Sequence, residues 1–190
     1  MSVSLMDLWI PILLGGILAW IASGLIHMVL KVHNSDYGKL TNEDEVADSL
    51  RAGSVDTGFY SLPHCADMKS MNDEAMQNRF KEGPVAFIAI FPKGMPPMGK
   101  LLGQQIAYFV ISALMIAYCA TIVLAPGADY MNVFRVVSVV GFLAFCWSNI
   151  PMSIWYGHPW STTIKYMVDA LVYALIMAGT FAWLWPSAGG

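Results

Sequence analysis

Four apolar runs constrain this chain more than any other feature. They are Leu8–Leu30, Leu101–Leu124, Val133–Trp155 and Tyr166–Trp185. At a helical rise of ~1.5 Å per residue, each covers a hydrocarbon core of about 30 Å. The rest of the composition agrees. Charged residues make up 12% of the chain, against about 25% in a soluble domain. Such an apolar excess, gathered into runs, reads as an integral membrane protein.

The hydrophilic stretch 31–100 separates the first run from the second. The later connections are short, which makes the last three helices antiparallel neighbours. The expected fold is an all-α membrane protein. It has four transmembrane helices and a small α/β cytoplasmic insertion between helices one and two. Its segments are an N-terminal transmembrane helix over 1–30, the insertion over 31–100, and a three-helix region over 101–190. Spans in that last region fall at about 101–124, 133–155 and 166–185. The leading MSVSLMD lacks Lys and Arg, so the first run reads as a retained helix rather than a signal peptide.

Charge sets the orientation. Lys31, Lys39, Lys93 and Lys100 lie close to membrane ends of the insertion, and Lys165 falls on the same side. The opposite side has only Arg135 and the N-terminal amine. The positive-inside rule places 31–100 in the cytoplasm and both termini in the periplasm. Aromatic belts fit: Trp9, Trp183 and Trp185 mark one interface, and Trp155, Tyr156, Trp160 and Tyr166 the other.

Within the insertion, Thr41-Asn-Glu-Asp reads as a helix start with acids in its first turn, and Gly53 as its end. Gly58–Pro63 reads as a short strand. Asn72 or Ser70 caps a second helix through Phe80, closed by Gly83-Pro84. Val85–Phe91 is too short to span and is a strand or a segment lying on the membrane.

Polar residues inside spans are costly and draw attention to sites. Gln105, Asn149, Lys165 and Asp169 form one such set, all near the same interface as His27. Lys165 and Asp169 are four apart, a spacing that favours an ion pair on one helix face. Gly15, Ala19 and Ser23 line one face of the first helix and allow another helix to approach closely. His64, Cys65 and Met68 are soft and borderline ligands suited to copper(I) or zinc, and His27 with His33 is a second possible ligand set. A membrane haem needs two facing axial ligands, for which His27 and His158 are the available pair. Cys65, Cys119 and Cys146 have no paired spacing, so no disulfide framework is expected. No nucleophile stands with a base, so no catalytic residue is assigned. A net charge of -3 without a basic patch argues against nucleic acid.

His27-Met28, His33-Asn-Ser-Asp36, Gly83-Pro84-Val85, Ile154-Trp155-Tyr156 and the closing Asp169-Ala-Leu-Val-Tyr through Trp185-Pro186 carry a likeness across nearly the whole chain. The sequence resembles a family of small four-span bacterial inner-membrane proteins. Members have no assigned activity, so the resemblance implies the bacterial inner membrane and the four-span layout, and no functional residue.

The reading these features favour is a non-catalytic accessory subunit of a larger membrane complex, respiratory or otherwise redox. Its partners would be the bilayer and other membrane subunits. One alternative is a metal- or cofactor-handling membrane protein using His, Cys and Met. Another is a small enzyme or transporter with a polar site near Asp169. The cofactor stays open.

Overall fold

The computed structural model describes residues 2–188. Met1, Gly189 and Gly190, at the ends of the first and last expected segments, lie outside the described residues. Helix accounts for 68% of the structure. In chain order the helices are α1 (Trp9–Gly24), α2 (Glu43–Ala52), α3 (Glu74–Glu82), α4 (Met98–Val123), α5 (Tyr130–Cys146), α6 (Ile150–Trp155) and α7 (Trp160–Trp183). The strands are β1 (Gly58–Leu62) and β2 (Ala86–Ile90). Two compact units result: Met1–Tyr37 with Pro97–Gly190, and Gly38–Pro96.

With their flanking turns, four helical stretches are long and apolar enough to cross a bilayer: Leu5–Val29, Met98–Val123, Tyr130–Trp155 and Trp160–Trp183. The fourth begins six residues before the run read from hydropathy at Tyr166. Ser161, Thr162 and Thr163 lower hydropathy but do not break a helix. Pro159 sits just outside, and its carbonyl accepts from Thr162 and Thr163 N–H at 3.0 and 3.2 Å.

The third stretch is not one continuous α-helix. A 3₁₀ turn at Trp147–Asn149 separates α5 from α6. Pro151 explains the break, because it has no N–H to give the carbonyl four residues back. Asn149 repairs part of the loss. Its side-chain amide donates to the carbonyls of Phe145 at 3.0 Å and Cys146 at 3.2 Å.

Helix α7 is the centre of the bundle. Half of its most apolar window is buried, against 22–28% for the other three stretches. It packs on α5 and on α1, and α1 in turn packs on α4. Small residues make these approaches possible. Gly15 faces Met177 and Phe181 of α7, while Gly16 lies against the backbone of Val110 in α4. Gly141 of α5 faces Ala174 of α7. Ala19 and Ser23 are buried too. The core between them holds Leu8, Phe109, Ile116, Val137, Met177 and Phe181.

The unit Gly38–Pro96 is a helix, a strand, a helix and a strand. Asn42 precedes α2, with Glu43, Asp44 and Glu45 in its first turn. Asp73, rather than Asn72 or Ser70, precedes α3, because Ser70–Asn72 is taken up in a 3₁₀ turn. The Asp67 carboxylate holds that turn, accepting from Ser70 N–H at 2.8 Å and Ser70 O–H at 2.7 Å. Helix α3 runs to Glu82, and Gly83 ends it at φ +64, a left-handed value that glycine adopts without strain. Strands β1 and β2 pair antiparallel with Phe59 opposite Ala89 and Ser61 opposite Phe87. The Phe59 and Phe87 rings stack on that face at 5.6 Å.

Candidate functional site

Two departures from α-helix fold the chain back at the end of the first span. Residues Leu25–Val29 form a π turn, closed by Leu30 N–H on the Leu25 carbonyl at 2.9 Å. Lys31 then takes a left-handed backbone, φ 53. For a residue with a side chain this costs roughly 1–2 kcal/mol. Single π turns and strained residues cluster at functional sites. A 3₁₀ turn over Val32–Asp36 follows and brings His33 beside His27. The two imidazoles stack with centroids 4.6 Å apart and planes 7° apart. Tyr166 also stacks on His33 at 4.6 Å.

Asp169 of α7 meets this turn. It is buried, and its Oδ2 accepts from His33 Nε2 at 2.8 Å. The same oxygen lies 3.8 Å from His27 Nε2. The second nitrogen of each ring is already engaged. His27 Nδ1–H donates to the Ser23 carbonyl at 3.0 Å, and His33 Nδ1 bonds Asp36 Oδ2 at 2.7 Å. The other oxygen of Asp36 accepts from Lys165 Nζ at 2.6 Å. Lys165 completes its coordination on Ser35 Oγ at 2.8 Å and the Val32 carbonyl at 3.0 Å. The Lys165 ammonium holds the Asp36 carboxyl below the usual carboxylate range, against the opposing effect of burial, and His33 lowers it further.

Three donor atoms, one each from His27, His33 and Asp169, therefore lie within 4.8 Å of one another. A first-row metal ion binds imidazole nitrogen and carboxylate oxygen at about 2.0–2.2 Å, which sets its ligand atoms roughly 3.4 Å apart. The 2.8 and 3.8 Å separations here bracket that spacing. The stacked rings point their lone pairs along separate planes, so a shared ion needs His27 to turn. Its side chain is 38% exposed and has room to do so.

No protein-family model, characterised protein or solved structure matches the chain. The site therefore rests on its own geometry.

A cavity of about 370 Å³ opens beside the cluster, lined among others by His27, Asp169, Gln105, Tyr108, Asn149 and Tyr173. The Tyr173 hydroxyl is buried, and among the described residues none meets it at full hydrogen-bonding geometry, with the Ser23 hydroxyl the group that interacts with it. Of the polar set read from sequence, Gln105, Asn149 and Asp169 thus share one cavity wall. Lys165 is placed elsewhere. The ion pair expected between Lys165 and Asp169 is not formed: Lys165 takes Asp36, and Asp169 takes His33. The local spacing rule loses because Val32–Asp36 offers Lys165 three acceptors at once.

His27 stacks on His33 and approaches Asp169, while His158 is exposed. In the Gly38–Pro96 unit, His64 Nδ1 meets Ser61 Oγ at 3.3 Å, Cys65 S–H donates to the Asp67 carbonyl at 3.0 Å, and Met68 is 78% exposed. Gly15, Ala19 and Ser23 face into this chain's own bundle. Sequence reasoning missed Asp36. Its signal was the three-residue interval from His33, because residues three apart superpose on a 3₁₀ turn.

Proposed function

We propose that this chain is a multi-pass protein of the bacterial inner membrane that handles a divalent first-row transition-metal ion. Its ligands are His27 Nε2, His33 Nε2 and an Asp169 oxygen. One observation carries the reading: His33 arrives with its far ring nitrogen already bonded to the Asp36 carboxylate, while the more exposed His27 turns from its bond to the Ser23 carbonyl to join the ion. Metal-binding histidines are oriented in this way by an outer shell. Asp36 is itself held by Lys165, so the shell is two layers deep on that side.

The donor set is nitrogen and oxygen, which suits zinc, iron, manganese or cobalt over copper(I). Between two carboxylates, His33 has an acceptor at each ring nitrogen. An ion at Nε2 replaces the proton in that bond, so binding releases a proton. His27 and Asp169 line the cavity, so further ligands to a bound ion would come from that side. The near-membrane cations favour a cytoplasmic Gly38–Pro96 unit, which puts the metal centre at the cytoplasmic interface and the termini in the periplasm.

The second reading is an accessory subunit of a larger complex. Exposed apolar residues such as Val139, Leu143 and Leu171 support it, but lipid covers them equally well. The line Gly15, Ala19 and Ser23 no longer supports it, because α4 and α7 occupy that face.

The test is metal analysis of the full chain purified from its own membranes without chelator, followed by Co²⁺ titration read by visible absorption. About one ion per chain is expected, lost in His33→Gln and Asp169→Asn and kept in His64→Ala. A metal-free protein whose Co²⁺ spectrum matches that of His33→Gln ends the proposal.

A further inference from the structure

The polar cavity has an apolar neighbour. A groove of about 420 Å³ runs between α1 with its π turn and the start of α4, walled by Trp20, Ile21, Leu25, Met28 and Leu102. Ser23, His27 and Gln105 line both spaces, so the groove and the cavity meet at those three residues. The combined space has a polar chamber at one end and an apolar channel at the other. Both lie on helices long enough to cross a bilayer.

We infer that this space binds a membrane-soluble quinone-type amphiphile, with a flat carbonyl-bearing ring in the chamber and a single apolar tail in the groove. Three features select that chemistry. The chamber walls are rich in rings: Tyr108, Phe109, Phe145, Tyr166 and Tyr173. Ring edges and faces favour a flat, polarisable head. The polar groups at the junction suit a neutral acceptor. The side-chain amide of Gln105 makes no hydrogen bond with any other described residue, so it is available to a carbonyl oxygen. No Lys or Arg is among the described residues that line the chamber or the groove, so the protein itself offers a phosphate or carboxylate head no ammonium or guanidinium partner. Finally, about 370 Å³ is enough for one substituted ring, and the groove of about 420 Å³ gives an apolar tail a path. Small-molecule sites have this form: a mostly apolar enclosure with a few convergent polar groups.

This inference shares the bilayer placement of the preceding section; its head-group donor, Gln105, is not one of the metal ligands, although His27 and Asp169 line the same chamber. The experiment uses the full chain in phosphatidylcholine nanodiscs with decylubiquinone as the probe. Bound quinone is extracted and counted against empty discs, before and after chelator treatment. About one saturable quinone per chain is expected in both states. Gln105→Leu removes the head-group donor, and Leu102→Trp fills the groove; each weakens binding tenfold or more. Leu175→Trp, the same kind of substitution on the exposed face of α7, leaves binding unchanged. Thermal unfolding of each variant confirms that it is folded. Quinone content equal to empty discs overturns the inference. So does binding that survives both Gln105→Leu and Leu102→Trp, or a phospholipid that stays bound and is not displaced by the quinone. Loss of metal with quinone binding intact sinks only the metal reading; the converse sinks only this one.

Discussion

Gly16→Ala is the sharpest test of the bundle. A Cβ at Gly16 would stand 2.9 Å from both Val110 Cα and Val110 Cγ2, and 3.1 Å from Val110 N. Ordinary carbon contacts begin near ~3.5 Å. The valine methyl can rotate, but the backbone atoms cannot, so α1 and α4 must part by about 0.5 Å at their crossing. Packed interiors resist such shifts, and overpacking costs roughly 1–3 kcal/mol. A value of ~2 kcal/mol lowers Tm by about 4–8 °C in a chain of this size. The assay is thermal unfolding in mild detergent, read by a thiol-reactive dye at Cys146, which is buried. Gly15→Ala is the internal control. Its nearest neighbours would be Phe181 Cε2 at 3.6 Å and Met177 Cγ at 3.7 Å, which is ordinary contact, so its effect stays within ~0.5 kcal/mol. The two glycines are adjacent and chemically identical, so helix propensity cancels between them. Equal stability of the two variants would refute the close approach of α1 and α4.

Three further outcomes follow from particular side chains. Asp36→Asn keeps the shape of the turn but weakens the orientation of His33, and lowers Co²⁺ affinity by about ten- to a hundredfold in titration; unchanged affinity would remove Asp36 from the outer shell. Asn149→Leu strands the Phe145 and Cys146 carbonyls at the break before Pro151, and costs about 1–3 kcal/mol in thermal unfolding; a neutral result would mean the carbonyls find other partners. Asp67 accepts from the Ser70 N–H and O–H, which hold its carboxyl below the ordinary aspartate value of 3.8. A depressed carboxyl stabilises the turn above its unfolded value and loses that contribution as pH falls through the lower folded value. Carboxyl-carbon NMR is therefore expected to show a midpoint below 3.8, and a midpoint at or above it contradicts the Ser70 turn.

The organisation of the chain was legible wherever a local rule governs it. Run length alone located four membrane-length helices, because a helix satisfies its backbone within its own segment. Gly83-Pro84 and the short apolar run Val85–Phe91 marked the second strand of the ribbon, with a segment lying on the membrane as the other reading, for a similar reason: turn chemistry is local. The limits were polar and backbone effects that hydropathy does not register. Pro151 broke the third stretch, and the threonines before Tyr166 concealed the true start of the fourth.

The cluster of His27, His33 and Asp169 could not be read in the same way. Asp169 was visible as an intramembrane carboxylate, and Lys165 four residues before it was the obvious partner. That inference followed the spacing of one helix. The real partners come from residues 129 to 136 positions away, on a turn that looked like loop. His33 reaches Asp169 only because a π turn and a left-handed Lys31 reverse the chain after the first span. Sequence by itself determined the helices, since hydrogen bonding along a segment and burial of its side chains depend on neighbours in the chain. Only the tertiary structure decided which carboxylate each cation meets, because a buried charge takes the partner with the best geometry, and that geometry exists only once α1, the following turn and α7 have packed together.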